Sequence, residues 1–136
     1  MTIRALLASA LAFALVAMPT AAAELPVFDA HIHYSHDAWE NLPPKAAIDV
    51  LRKAGVRRAL VSSSGDDGTQ RLVSEAPDLV VPSLRPYRRR AEVTTWVRDD
   101  TVAAFLEERL ARSRYAAIGE FHVYGADADL PVPRRL

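Results

Sequence analysis

Three of the four histidines in this 136-residue chain fall within six positions, in the stretch Phe28-Asp29-Ala30-His31-Ile32-His33-Tyr34-Ser35-His36. Leu25 to Ala30 is a short apolar run, too short for a helix and bounded by the histidine cluster, and it reads as a strand. Residues two apart on a strand face the same way. Asp29, His31 and His33 therefore share one face at its C-terminal end, and Phe28, Ala30 and Ile32 share the other. Two imidazoles side by side on one strand make two-thirds of a three-ligand metal set. They also suit an ordinary polar strand end, and the pair alone leaves both readings open. A second group favours the first. In Tyr115-Ala116-Ala117-Ile118-Gly119-Glu120-Phe121-His122, read as another strand, Ile118, Glu120 and His122 share a face. Glu120 follows an apolar run, where a carboxylate is costly unless something positive accepts it. Arg85 is one acceptor and a divalent ion the simpler one, since His and Glu together form a set that zinc uses.

The elements that must position these groups follow in order. Pro43 and Pro44 open a helix with an apolar stripe at Ala47, Val50, Leu51 and Ala54, closed by Gly55. Arg58 to Val61 reads as a second strand, ending in the loop Ser62–Gly68. A short helix from about Thr69 to Ala76 follows, capped by Asp67 or Thr69. Leu79 to Leu84 is a third strand, marred by Pro82, which cannot donate to a ladder. After a longer loop, Asp99 or Asp100 caps a helix with the stripe Val102, Phe105, Leu106 and Leu110 and an i, i+4 pair between Glu108 and Arg112. Strand–helix alternation of this kind predicts an α/β fold with a parallel sheet. The first strand carries no glycine-rich phosphate turn, and Ser62–Gly68 lacks the Gly-Lys-Ser/Thr of a P-loop. That favours a (β/α)₈ barrel of the TIM type over an open doubly wound sheet, with the site at the strands' C-terminal ends.

Residues 1–23 have the layout of a secretory signal peptide: Arg4, an apolar run from Ala5 to Met18, then Pro19 and a small-residue end at Ala21-Ala22-Ala23. This run of 14 residues falls short of the ~20 needed to span a bilayer. Cleavage before Glu24 would leave 113 residues, secreted or periplasmic and with no membrane attachment. Across the whole chain 17 basic residues balance 17 acidic ones, which argues against a dedicated nucleic-acid binder. There is no cysteine, so a metal site must use histidine and carboxylate.

Asp29-Ala30-His31-Ile32-His33 after the first strand, with Ile118-Gly119-Glu120 on the fourth, resembles the metal-dependent amidohydrolase superfamily, from Val27 to the end of the chain. The resemblance implies a (β/α)₈ barrel with one or two divalent ions, zinc first, at its mouth. It makes His31 and His33 ligands of the more buried ion and gives Glu120 the bridging place, a glutamate in the TatD-like nuclease branch. His122 has no assured counterpart and is a candidate for substrate or a second ion. Family members also use a histidine on each of strands five and six and an aspartate on strand eight, the general base. None of these falls before Leu136, so the chain is expected to be the N-terminal half of a barrel, with roughly four strands and three helices, inactive alone.

The expected activity is metal-assisted hydrolysis of a small molecule by activated water. Decarboxylation and phosphodiester cleavage are alternatives on the same site. A different class is a non-catalytic periplasmic metal-binding protein holding zinc through His31, His33, Glu120 and His122 as a closed site. Arg85 and Tyr87, leaving the third strand, lie near enough to the mouth to bind an anionic group. Tyr34, His36, Asp37 and Trp39 are candidates for pocket lining or loop decoration, and Asp127 and Asp129 read as loop residues.

Overall fold

The computed structural model describes residues 25–136, and the expected leader lies outside the described residues. No helix among the described residues is long and apolar enough to cross a membrane. The chain runs β1 (Val27–Ile32), α1 (His36–Trp39), α2 (Pro44–Lys53), β2 (Val56–Val61), α3 (Asp67–Glu75), β3 (Val80–Leu84), α4 (Val102–Arg112) and β4 (Ala117–Ile118). Short 3-10 turns lie at Arg90–Glu92, Trp96–Arg98, Gly125–Asp129 and Pro133–Arg135. All four strands are parallel and lie side by side in chain order, forming a curled half-barrel sheet in an α/β fold.

Two apolar cores cover the sheet's outer side. The first joins Ile48 of α2 and Leu72 of α3 to Ala59, Val61 and Val80 of the strands. Pro44 starts α2 where its missing N–H costs nothing, and Gly55 follows the helix end at φ +78°. The docked face is Ala47, Ile48 and Leu51, one step round from the expected stripe, because the bulkier Ile48 takes the core slot and leaves Val50 in solvent. The second core gathers Leu84 of β3, Val102 and Leu106 of α4, and Tyr87, Trp96 and Val97 from the segment between them. Here too the far end of the stripe, Leu110, is exposed. The expected Glu108–Arg112 pair forms at 3.0 Å. Thr101 takes the N-cap position of α4, while Asp99 accepts the backbone N–H of Thr101.

Two sequence expectations are corrected, at β1 and at the fourth strand, while the third strand holds its proline as expected. β1 begins and ends two residues later than expected, and its register shifts between Asp29 and Ile32. Strict alternation therefore fails there, and Ile32, not a partner of Ala30 on the open face, packs against the first core. Pro82 sits inside β3, paired with Val61, where its lost donor is tolerated because its carbonyl still accepts from Ala116. The fourth strand keeps only Ala117 and Ile118 in the ladder, since Gly119 turns away at φ +145°. Opposite the helices, a groove bounded by Ala30, Leu60, Ser83 and Ile118 crosses all four strands and is not covered by the described residues.

Candidate metal centre

The two histidines are carried by the end of β1, which the Ser62 N–H ties to β2 by donating to the Ile32 carbonyl at 2.9 Å. The backbone N–H of His31 donates to Asp29 Oδ1 at 3.0 Å. The rings of His31 and His33 stand edge to face, with their Nε2 atoms 2.9 Å apart. Nδ1 of His33 faces the Ser62 carbonyl oxygen in a short hydrogen bond. A carbonyl can only accept, so this contact assigns the ring hydrogen to Nδ1 and leaves Nε2 with its lone pair. Backbone carbonyls orient metal-binding imidazoles in this way.

The loop after β2 braces that arrangement. The Tyr34 N–H donates to Ser63 Oγ at 3.1 Å, and the Ser64 N–H donates to Ser35 Oγ at 3.2 Å. Gly68 lets the two loops close, because a Cβ there would fall 1.7 Å from the Tyr34 carbonyl oxygen.

Glu120 arrives from the other edge of the sheet. Its backbone is held by β3 and the segment after it: Ser83 Oγ donates to the Gly119 carbonyl at 2.6 Å, and Arg85 Nε donates to the Glu120 carbonyl at 3.3 Å. Trp96 Nε1 donates to the His122 carbonyl at 2.9 Å, and the His122 N–H donates to the Tyr87 hydroxyl at 3.0 Å. Burial raises the Tyr87 phenol above its ordinary pKa, so it stays protonated as a donor.

These supports bring Glu120 Oε2 to 2.9 Å from His31 Nε2 and 3.2 Å from His33 Nε2. The oxygen is shut off from solvent and makes no hydrogen bond of good geometry despite those short distances. Nε2 of His33 and Oε2 of Glu120 are both lone-pair atoms, so neither can satisfy the other. With His31 Nε2 the atoms are separated by 2.9, 2.9 and 3.2 Å and approach the edge of about 3.4 Å expected for a tetrahedral ion with ~2.1 Å bonds. The donor set fits a divalent cation. Comparison with protein-family models, with curated proteins and with solved structures finds no match for this chain.

Among the described residues, His31, His33 and Glu120 form the group spaced to hold an ion. His122 stands beside it: its Nε2 is 3.4 Å from the other Glu120 oxygen, Oε1, and its Nδ1 is 2.7 Å from the Tyr87 hydroxyl. The cluster opens into a cavity of about 500 Å³ whose wall includes Arg85, Arg90 and His122. Tyr87 is fully buried and reaches the cavity only through His122 and Arg85. Of the first-loop candidates, Asp37 reaches the cavity rim, while the Tyr34 hydroxyl donates to the Leu42 carbonyl and the Trp39 ring lies under Arg71. Asp127 pairs with Arg98 at 2.7 Å, away from the site. Sequence reasoning passed over Ser62, Ser64 and Trp96. The signal for the serines was their place directly after β2, in the same layer as the histidines.

Proposed function

We propose that this chain holds a divalent metal ion, zinc first among candidates, through His31, His33 and Glu120, and that it contributes this site to metal-assisted hydrolysis of a small molecule. The single observation that carries the reading is the Glu120 carboxylate oxygen, enclosed between two imidazole nitrogens and left without a hydrogen bond. A bound divalent ion lowers the pKa of its water from 15.7 to about 7 and so supplies a nucleophile at neutral pH. The chain's own residues do the rest: Ser62 fixes the His33 tautomer, Glu120 offsets positive charge, and the cavity admits substrate on the open side.

Catalytic zinc sites have three protein ligands and one free position, whereas structural sites are closed. His122 stands outside the three-atom cluster, and this supports the hydrolytic reading over a closed storage or structural site. The finer fold reading is a (β/α)₈ barrel of the amidohydrolase type, of which β1 to β4 are one wall. Supporting it are the sequential parallel strand order, the ligands at the strands' C-terminal ends, and the open face that exposes Phe28 and Ile118. On this reading turnover needs the remaining wall, so ion binding is the first test and hydrolysis the second.

Calorimetric titration of zinc into the metal-free chain should show one tight site. His31→Ala with His33→Ala should abolish it, and Glu120→Gln should weaken it by more than the ~10–100-fold typical of losing an outer partner. Unchanged zinc stoichiometry in the double variant would remove the ligand assignment.

A further inference from the structure

Arg85 is the unexplained group of the cavity. Its side chain is 5% exposed, yet it lines the same cavity as the three candidate ligands. Its Nε donates to the Glu120 carbonyl at 3.3 Å and its Nη1 to Ser64 Oγ at 3.4 Å. The guanidinium carbon lies 4.6 Å from the centre of the Tyr87 ring, which fixes its plane. Nη2 has no hydrogen-bond partner of this kind, since Glu120 Oε2 is 3.9 Å away. A rigid planar cation thus presents Nη2 3.9 Å from Glu120 Oε2, in the cavity that the three candidate ligands line.

The charge balance points the same way. The charged groups of the cavity wall are Asp37, Arg85, Arg90 and Glu120. Arg90 pairs with Asp37 across the rim at 3.1 Å, and both are exposed. Arg85 and Glu120 balance within, so the cavity is formally neutral when the imidazoles are neutral. A divalent ion would leave it with two uncompensated positive charges, one of them beside a buried guanidinium. Uncompensated charge in a partly desolvated site is costly, and an anion is its natural partner.

We propose that the cavity takes a small oxyanion, a carboxylate or phosphate group of the substrate, bridging from the Arg85 fork to the metal position. The inference rests on the metal reading above and adds the substrate class to it. Planar, bidentate capture of carboxylate or phosphate is what a fixed arginine fork does well. Arg90, exposed at the rim, can exchange Asp37 for the same group.

The test is equilibrium binding of two probes, inorganic phosphate and benzoate, to the full chain by calorimetry, with and without zinc, after zinc stoichiometry has been measured. At least one probe should bind the zinc-loaded protein, and at least tenfold more weakly when zinc is removed. Arg85→Met, measured at zinc concentrations that fully load it, should weaken that binding tenfold or more, and Arg85→Lys should restore part of it. Preference for phosphate over benzoate, or the reverse, assigns the oxyanion. If zinc binds and neither probe does, or if the zinc-loaded Arg85→Met and wild-type proteins bind the probes equally, the oxyanion site is overturned while the metal site stands. If Arg85→Met fails to fold, the zinc dependence in the wild type and the Arg85→Lys result decide alone. If zinc itself does not bind, it is the metal reading that fails.

Discussion

The two edges of the half-barrel supply the candidate metal centre in different ways. On the first edge His31 and His33 stand two residues apart at the end of a strand that pairs with β2 on both sides of a register shift. The Ser62 N–H bond to the Ile32 carbonyl between them and one local loop hold them in place. On the second edge β4 has two residues in the ladder, and Glu120 lies beyond the turn at Gly119. Side chains hold it there: Ser83, Arg85, Tyr87 and Trp96 all bond to the backbone of residues 119–122. A ligand on a strand inherits its position from backbone pairing. A ligand after a strand needs a packed neighbourhood to hold it.

The largest test of that difference sets one core against the other. Leu72→Ala in the first core should cost about 2–5 kcal/mol and Trp96→Ala in the second about 3–5 kcal/mol, since both side chains are fully buried. Denaturant titrations should find both losses. Zinc affinity, measured where both variants remain folded, should separate them. Leu72→Ala should bind nearly as the wild type does, because the His pair is fixed by β1 and β2. Trp96→Ala should bind more weakly, because the His122 carbonyl loses its donor and the segment carrying Glu120 loses its support. Equal zinc affinities would mean that the second core does not position the carboxylate.

The same contrast explains what the sequence made legible. The order of strands and helices, the parallel sheet and the meeting of His31, His33 and Glu120 followed from apolar runs, turn residues and the period of two. The path to that meeting did not. The reading had Glu120 on a continuous strand, whereas the register shift in β1 and the turn at Gly119 break the alternation at both edges. Such breaks are set by contacts made far away in the chain, such as Ser83 with the Gly119 carbonyl, and no local pattern encodes them. The exposure of Val50 and Leu110 has the same origin, because the helices turn to fit the cores rather than their own best stripe.

A smaller effect should come from two glycines. Gly55 and Gly119 both have positive φ, at +78° and +145°, and a Cβ at either would meet no atom within 4 Å. Alanine at each should therefore cost only backbone strain, on the order of 1–2 kcal/mol. Gly55→Ala acts at the end of α2 and should leave zinc binding unchanged. Gly119→Ala should weaken zinc binding, since relaxing the strain would swing Glu120 away from the histidines. If both variants lose stability alike and neither loses zinc affinity, the turn at Gly119 is not what aims the carboxylate.

The smallest effect is one of pH, and it too should fall on the second region. Burial opposes ionisation of Glu92, but hydrogen bonds from the Arg88 N–H and Nε and the charges of Arg88 and Arg89 outweigh it and hold its pKa below the ordinary value. Asp99 is lowered chiefly by the Thr101 hydroxyl and N–H, then by Arg88. Both carboxyls lie in the segment that frames the second core. A carboxyl with a depressed folded pKa stabilises above its unfolded value, about 4, and that contribution is lost as pH falls through the folded value. Acid should therefore loosen the surroundings of Trp96 before it dissolves the helices of the first core. The tryptophans are Trp39 and Trp96, so Trp39→Phe leaves Trp96 fluorescence as a reporter of the second core alone. Its change on lowering the pH from 5 should precede the loss of helical ellipticity, and adding Glu92→Gln should reduce that lead. Coincident transitions, unmoved by Glu92→Gln, would show that the two regions melt as one and that the carboxylate's support is no weaker than the histidines'.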